Sequence, residues 1–188
     1  ALARDIDLQP GHHVLEIGCG WGGFAEYAAR EVGARVTGLT ISKEQFDFAT
    51  ERMRKAGLTD RVEIKMQDYR DEKGLFDRIA SIEMFEAVGE EYWPIYFRQL
   101  RDRLKEGGKA GLQVITIQDE IFPHYRGDID FIRRYIFPGG MLPTPTIMRN
   151  MGDKHGLSLS AERIFGLDYA TTLAHWRDSF RKAWPQLT

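Results

Sequence analysis

Four glycines in six residues, Gly18, Gly20, Gly22 and Gly23, follow directly on the apolar run Val14-Leu15-Glu16-Ile17. Glycine alone accepts a positive φ freely, and a stretch without side chains lets a ligand lie directly against backbone. An apolar run before the turn and a helix-like pattern after it place the glycines between the carboxyl end of a strand and the N-terminus of a helix. There, unpaired N–H groups and the helix dipole make a cradle of nucleotide size. The chain is therefore expected to fold around a strand–turn–helix that receives an adenosine-bearing ligand.

Two spacings compete for that turn. Gly18, Gly20 and Gly23 satisfy the dinucleotide pattern G-x-G-x-x-G, while Glu16, Gly18, Gly20 and Gly22 satisfy the E-x-G-x-G-x-G of S-adenosylmethionine (SAM) methyltransferases. A dinucleotide site wants an acid at the tip of the second strand to hold the ribose hydroxyls. Here the second strand, Ala34 to Leu39, runs into Thr40-Ile41-Ser42. Glu16 suits a ligand carrying an ammonium group, and Thr40, Ser42 and Gln45 offer neutral hydrogen-bonding groups to ribose. The surroundings favour SAM over NAD.

Alternating strand-like and helix-like runs argue for a parallel α/β sheet of the doubly wound, Rossmann-like kind. Strands are expected at His13–Ile17, Ala34–Leu39, Val62–Met66, Arg78–Ser81 and Ala110–Ile117. Helices are expected at Gly22–Val32, from the Ser42 N-cap to Gly57, and from Glu91 to Lys105, with Gly107-Gly108 as the break before the fifth strand. A polar and aromatic insertion follows, about 118–145, with an irregular loop at Phe137–Pro143 fixed by prolines and paired glycines. A short helix to about His155, a strand at Leu157–Ile164 and a last helix with Tyr169, Leu173, Trp176, Phe180 and Trp184 on one stripe complete the chain. All 188 residues read as one domain. The formal net charge of -2 gives no electrostatic case for a nucleic-acid partner. The single Cys19 is compatible with a reducing compartment. His12-His13 has no partner at metal-ligand spacing and is expected to be a solvated loop pair, so no metal site is expected.

The assembled residues resemble the cyclopropane fatty acid synthase family of SAM-dependent methyltransferases. The resemblance is carried by Leu15-Glu16-Ile17-Gly18-Cys19-Gly20-Trp21-Gly22, Gly38-Leu39-Thr40-Ile41-Ser42-Lys43-Glu44-Gln45 and Ser81-Ile82-Glu83-Met84-Phe85-Glu86. Arg134-Tyr135-Ile136-Phe137-Pro138-Gly139-Gly140-Met141-Leu142-Pro143 also matches, its Phe137–Pro143 loop being the specific part, and Asp168-Tyr169-Ala170 with Thr172-Leu173 and Trp176 in the last helix is similar. The resemblance implies a class I methyltransferase fold, here stopping short of its terminal strand, and methyl transfer to the double bond of an unsaturated phospholipid acyl chain to form a cyclopropane fatty acid. It further implies a cytoplasmic enzyme that touches the membrane surface. Glu16, Gly18 and Gly20 would hold the methionine end of SAM, Thr40, Ile41 and Gln45 would lie along the ribose, and Asp68 and Tyr69 would flank the adenine. Glu86 matches the family's active-site glutamate, which anchors a bicarbonate ion acting as general base.

An isolated alkene is a poor nucleophile, so a sulfonium methyl must be held in line against it with water excluded. The cation that follows needs a base and an anion inside an apolar pocket. Aromatic faces can assist, with Phe85, Tyr135 and Phe137 as candidates. The chain departs from the family pattern at Ala87, where many relatives have histidine, and at Gln113, which replaces a histidine of the bicarbonate site; a Gln amide still donates to an anion. A methyl-branched or methylene product is the alternative within the class, and a small-molecule amine acceptor is the alternative outside it. The chain lacks the family's N-terminal segment and its C-terminal tyrosine, so the piece alone is expected to be inactive or impaired.

Overall fold

From Val14 to Ile17 every side chain of β1 (His13–Ile17) is buried, the signature of a strand covered on both faces. It lies at the centre of a parallel sheet with β2 (Arg35–Thr40), β3 (Val62–Met66), β4 (Phe76–Ile82) and β5 (Leu104–Gln113), in the order β3-β2-β1-β4-β5. The structure, a computed structural model, describes residues 1–187. Register sets Glu16 beside Gly38 on one side and Ala80 on the other. Strand order reverses between β1 and β4, so a crevice opens at their carboxyl ends, where sheets of this kind bind ligands.

Helices cover both faces. On one, α1 (Leu2–Asp5), α2 (Gly23–Tyr27) and α3 (Lys43–Ala56) pack over a core of small side chains that includes Ala25, Ala28, Val36 and Met53. On the other, α4 (Trp93–Arg103) buries its own Trp93, Tyr96 and Leu100 in a core with Phe76 and Phe85. After α5 (Phe122–Gly127), the helix α6 (Pro145–Lys154) adds Ile147, Met148 and Met151 to that second core. The alternation of β1 sends Leu15 and Ile17 to the aromatic side and Val14 to the alanine side. Glu16 shares the face of Val14 and therefore turns under the start of α2.

Local signals place most of these elements where they were expected. Ser42 caps α3, its hydroxyl accepting from the Gln45 amide at 3.3 Å, and Gly57 ends it at φ +67°. Five expectations need correction. The helix after the glycines is α-helical only to Tyr27 and continues as a π-turn over Ala28–Val32. β5 begins at Leu104, directly after α4, because Gly107-Gly108 lies in a bulge within the strand: the register jumps from Phe76↔Leu104 to Arg78↔Lys109. The same strand ends at Gln113, since beyond it the Ile115 and Ile117 amides donate to Glu86 and Pro143 rather than to a neighbouring strand. Leu157–Ile164 is irregular rather than a strand, with Ile164 85% exposed. His13 also departs from a solvated loop residue: it opens β1, bonds the Thr37 hydroxyl at 2.9 Å and meets the Phe76 ring edge-on.

The chain divides into two compact units, Ala1–Ser158 and the segment from Leu159 onward. The second contains α7 (Gly166–Leu187), whose Tyr169 meets Trp176 and whose Phe180 meets Trp184 edge-to-face. Among the described residues no helix is long and apolar enough to cross a membrane.

Candidate active site

The glycine turn is pinned to the end of β2: the Gly18 and Cys19 amides both donate to the Leu39 carbonyl, at 3.1 and 2.8 Å. Gly18 stands at φ +78°, and a Cβ there would lie 2.8 Å from Met84 Cγ. Gly20 stands at φ +50° with nothing within 4 Å of the place a Cβ would take, so the backbone faces open space. Cys19 packs against Gly38, where a Cβ would come within 3.0 Å of its own. Burial, with the Glu16 charge second, pushes its thiol up to about 12, so it is a small spacer and no nucleophile.

Glu16 is 2% exposed, and its Oε2 has no hydrogen-bond partner. Loss of water on burial holds its carboxyl well above the usual range, with the Ala25 amide pulling it back. A carboxylate left short of a donor beneath a glycine cradle fits an ammonium-bearing ligand. It also has a consequence for stability. Folding raises the proton affinity of Glu16, so the folded state loses ground as pH climbs above the ordinary glutamate range toward the raised value. Glu16→Gln is expected to flatten that slope and to raise the melting temperature at pH 8 by about 2–4 °C, the response of a domain this size to about 1 kcal/mol. Melting curves from pH 5 to 9 would check it; equal slopes in the two proteins would show that the carboxyl is not strained.

The remaining cofactor candidates sit at the carboxyl ends of β2 and β3. Thr40 is buried, and its hydroxyl donates to Gln45 Oε1 at 2.7 Å while accepting from the Ser42 amide at 3.2 Å. It therefore positions Gln45. Ile41, next in the chain, is 77% exposed and offers an apolar surface. Asp68 is gripped by Arg70 through the backbone amide, Nε and Nη2, at 2.9, 2.9 and 2.7 Å. That guanidinium holds its carboxyl below the usual range. The half-buried Tyr69 ring stands edge-to-face on Tyr96 at 5.5 Å.

Across the crevice β4 ends at Ile82 and the chain turns sharply. Glu83 adopts φ +50°, a conformation non-glycine residues seldom enter. Phe85 then drops into the core against Trp93, Tyr96 and Phe97. It is 1% exposed, which removes it from the aromatic faces expected to meet a cation, whereas Tyr135 and Phe137 are exposed. With Phe85 as anchor, Glu86 is held half-buried. Its Oε1 accepts from the Ile115 amide at 2.5 Å, its Oε2 is buried with no partner, and its carbonyl accepts from Met141 at 2.8 Å. Burial raises its carboxyl above the usual range, and the Glu83 charge adds to the rise.

The Phe137–Pro143 loop is what closes this corner. Gly140 lies so close to the Glu86 carbonyl that a Cβ would sit 3.3 Å from it, and the Tyr125 hydroxyl accepts from the Leu142 amide at 3.2 Å. Gln113 ends β5 beside the same corner. Its Nε2 donates to Glu83 Oε1 at 3.0 Å, and its carbonyl accepts from the Glu83 amide at 2.8 Å. The sequence candidates therefore share the carboxyl edge of the sheet. Glu83 and the Ile115 amide are additions: only Glu83's place at the end of β4 hinted at a role. Among the described residues no group of His, Cys, Asp and Glu is placed to hold a metal. A surface depression of about 370 Å³ between Glu26, Arg30, Phe48 and Arg52 includes none of the site residues, and Glu26 already pairs with both of its arginines.

Comparison with known proteins gives the family and the fold. The family model described as mycolic acid cyclopropane synthetase matches residues 1–188. The chain is 41% identical over 174 residues to the tuberculostearic acid methyltransferase of Mycobacterium tuberculosis, covering 92% of this chain and 40% of that protein. It is 38% identical over 187 residues to the cyclopropane-fatty-acyl-phospholipid synthase of Escherichia coli K12, covering 99% and 46%. The chain thus spans less than half the length of these curated relatives. Among solved structures, a mycolic acid cyclopropane synthase complexed with SAH and CTAB superposes with a TM-score of 0.89 at 26% identity, over 98% of this chain and 68% of that one. The fold is that of class I SAM-dependent methyltransferases, and the chain belongs to the mycolic acid cyclopropane synthetase family.

Proposed function

We propose that the intact protein transfers a methyl group from SAM to the double bond of an unsaturated fatty acyl chain in a phospholipid, giving a cyclopropane fatty acid. The observation that carries this reading is Glu86: a half-buried carboxylate with one oxygen pinned and the other without a partner, across the sheet's switch point from the glycine cradle. SAM supplies an electrophilic sulfonium methyl. Glu16 would accept from its ammonium, Gly18 and Gly20 would let it lie on backbone, and Ile41, Gln45, Asp68 and Tyr69 would line its nucleoside half. The relatives' names support a lipid acceptor, and an acyl chain must leave the bilayer to reach the crevice, so contact with the cytoplasmic membrane surface belongs to the same proposal.

The bicarbonate expected at Glu86 does not fit the residues present. One of the two Gln113 side-chain N–H groups is given to Glu83, the Ile115 amide is given to Glu86, and Glu83 adds a negative charge near Glu86 that opposes a second anion there. No step is assigned to that ion. One observation favours the methylene or methyl-branched product as a second reading: Gln113, in place of a histidine, is bonded to a carboxylate beside Glu86. The experiment is incubation of the intact protein with methyl-labelled SAM and vesicles of mono-unsaturated phospholipid, followed by mass spectrometry of the released fatty acids. A fatty acid heavier by one methylene unit is expected, and its fragmentation separates ring from methylene. Absence of label in lipid, with SAM bound, would overturn the reading and direct attention to amine acceptors.

A further inference from the structure

Two carboxylates at the crevice are held by one short stretch of β5 and its continuation. Gln113 holds Glu83 through its side-chain amide and its carbonyl, and Ile115 holds Glu86 through its backbone amide. The turn between them is unusual in its backbone. Glu83 stands at φ +50°, where glycine is the low-cost residue, so a carboxylate is kept at a position that opposes any side chain. Its partner Gln113 thereby commits one of its two side-chain N–H groups, which would otherwise be available to an anion beside Glu86. Glu86 is left with a buried Oε2 that bonds nothing.

We propose that Glu83 is a built-in anion: by taking the Gln113 amide beside Glu86 it fills the place of an external base and leaves Glu86 Oε2 as the proton acceptor. The inference rests on the acyl methyl-transfer reading above. In the step, the alkene π pair forms the new C–CH₃ bond as the S–CH₃ bond breaks with its pair to sulfur, giving SAH and a carbocation on the adjacent carbon. A C–H bond of the added methyl then yields its proton to Glu86 Oε2 and its pair to the ring-closing C–C bond. In the methylene route a hydride shift comes first, and the same pair becomes C=C. The protonated Glu86 returns its proton to water. Glu83 is thus a positioning residue: its negative charge stands near Glu86 and favours the protonated form of that carboxyl.

The test uses the intact protein, Glu83→Gln and Glu83→Gly. Gln keeps an oxygen for the Gln113 amide and removes the charge; Gly is the residue best suited to φ +50° and frees the amide, so both are expected to fold. Wild-type methyl transfer is expected to be indifferent to removal of dissolved carbon dioxide, and ¹³C-bicarbonate NMR is expected to show no saturable binding. Glu83→Gly is expected to lose about 100-fold in turnover, to gain saturable bicarbonate binding and to recover activity on its addition. In Glu83→Gln the acid limb of the pH–rate profile, and the Glu86 carboxyl followed by ¹³C NMR, are expected to move to lower pH. Bicarbonate binding by the wild type, or an unmoved Glu86 titration in Glu83→Gln, would overturn the proposal. If the wild type methylates no lipid, the acyl reading fails, while both NMR measurements still decide the role of Glu83.

Discussion

Glu86→Gln is expected to slow methyl transfer to lipid by about 10²–10⁴-fold, the usual worth of a general base, while SAM affinity changes by no more than about twofold. The amide oxygen of the variant can still accept from Ile115, so the corner formed by the Phe137–Pro143 loop is retained and only the basic group is removed. Glu86→Ala removes the acceptor as well. It leaves the Ile115 amide without its partner, at a cost of about 1–3 kcal/mol where water cannot replace the carboxylate. Turnover with labelled SAM and the urea midpoint of each variant separate the two roles. Near-normal turnover in Glu86→Gln would reduce Glu86 to a structural anchor and remove the observation on which the functional reading stands.

Gly18→Ala is expected to destabilise the domain by about 2–5 kcal/mol, from about 1–2 kcal/mol for a side chain at positive φ and about 1–3 kcal/mol for overpacking. The new Cβ would lie 2.8 Å from Met84 Cγ and 3.0 Å from Met84 Cβ. Those atoms are near the root of the methionine side chain, so the Met84 backbone must move, and Glu86 with it. SAM affinity and turnover should fall together. Gly20→Ala gives the contrast: its Cβ meets no protein atom within 4 Å but enters the space in front of the cradle. That variant should lose SAM affinity out of proportion to stability. Chemical denaturation and calorimetric titration with SAM measure both. Equal losses of affinity per kcal/mol of stability in the two variants would deny that Gly20 faces the ligand.

Elements with their own local signals are legible in the sequence. β3 occupies Val62–Met66 as its alternation predicts, and α3 runs from the Ser42 cap to Gly57 because cap, amphipathic face and αL stop agree within one stretch. The start of the fifth strand is not, because paired glycines read equally as a break between elements or as a bulge within one. Pairing to Phe76 and Arg78, distant in the chain, makes the choice. Leu157–Ile164 carries apolar residues yet forms no strand, since strand propensity by itself is a weak, context-dependent preference.

Glu16 and the acid-free tip of the second strand favoured SAM over a dinucleotide, while the glycine turn by itself determined the strand–turn–helix and the carboxyl edge at which a ligand is expected. It could do so because positive φ and bare backbone are properties of residue type. Glu16 and Glu86 could likewise be picked out by position. The tertiary structure decided what those carboxylates are. Burial beneath α2 leaves Glu16 short of a donor, and a core anchored by Phe85 half-buries Glu86 against Ile115 and the Phe137–Pro143 loop. It also decided that Thr40 and Asp68 spend their oxygens on Gln45 and Arg70, and that Glu83 holds Gln113. Hydrogen-bond partners and desolvation come from chain segments far apart in sequence, and no local pattern of residues encodes them.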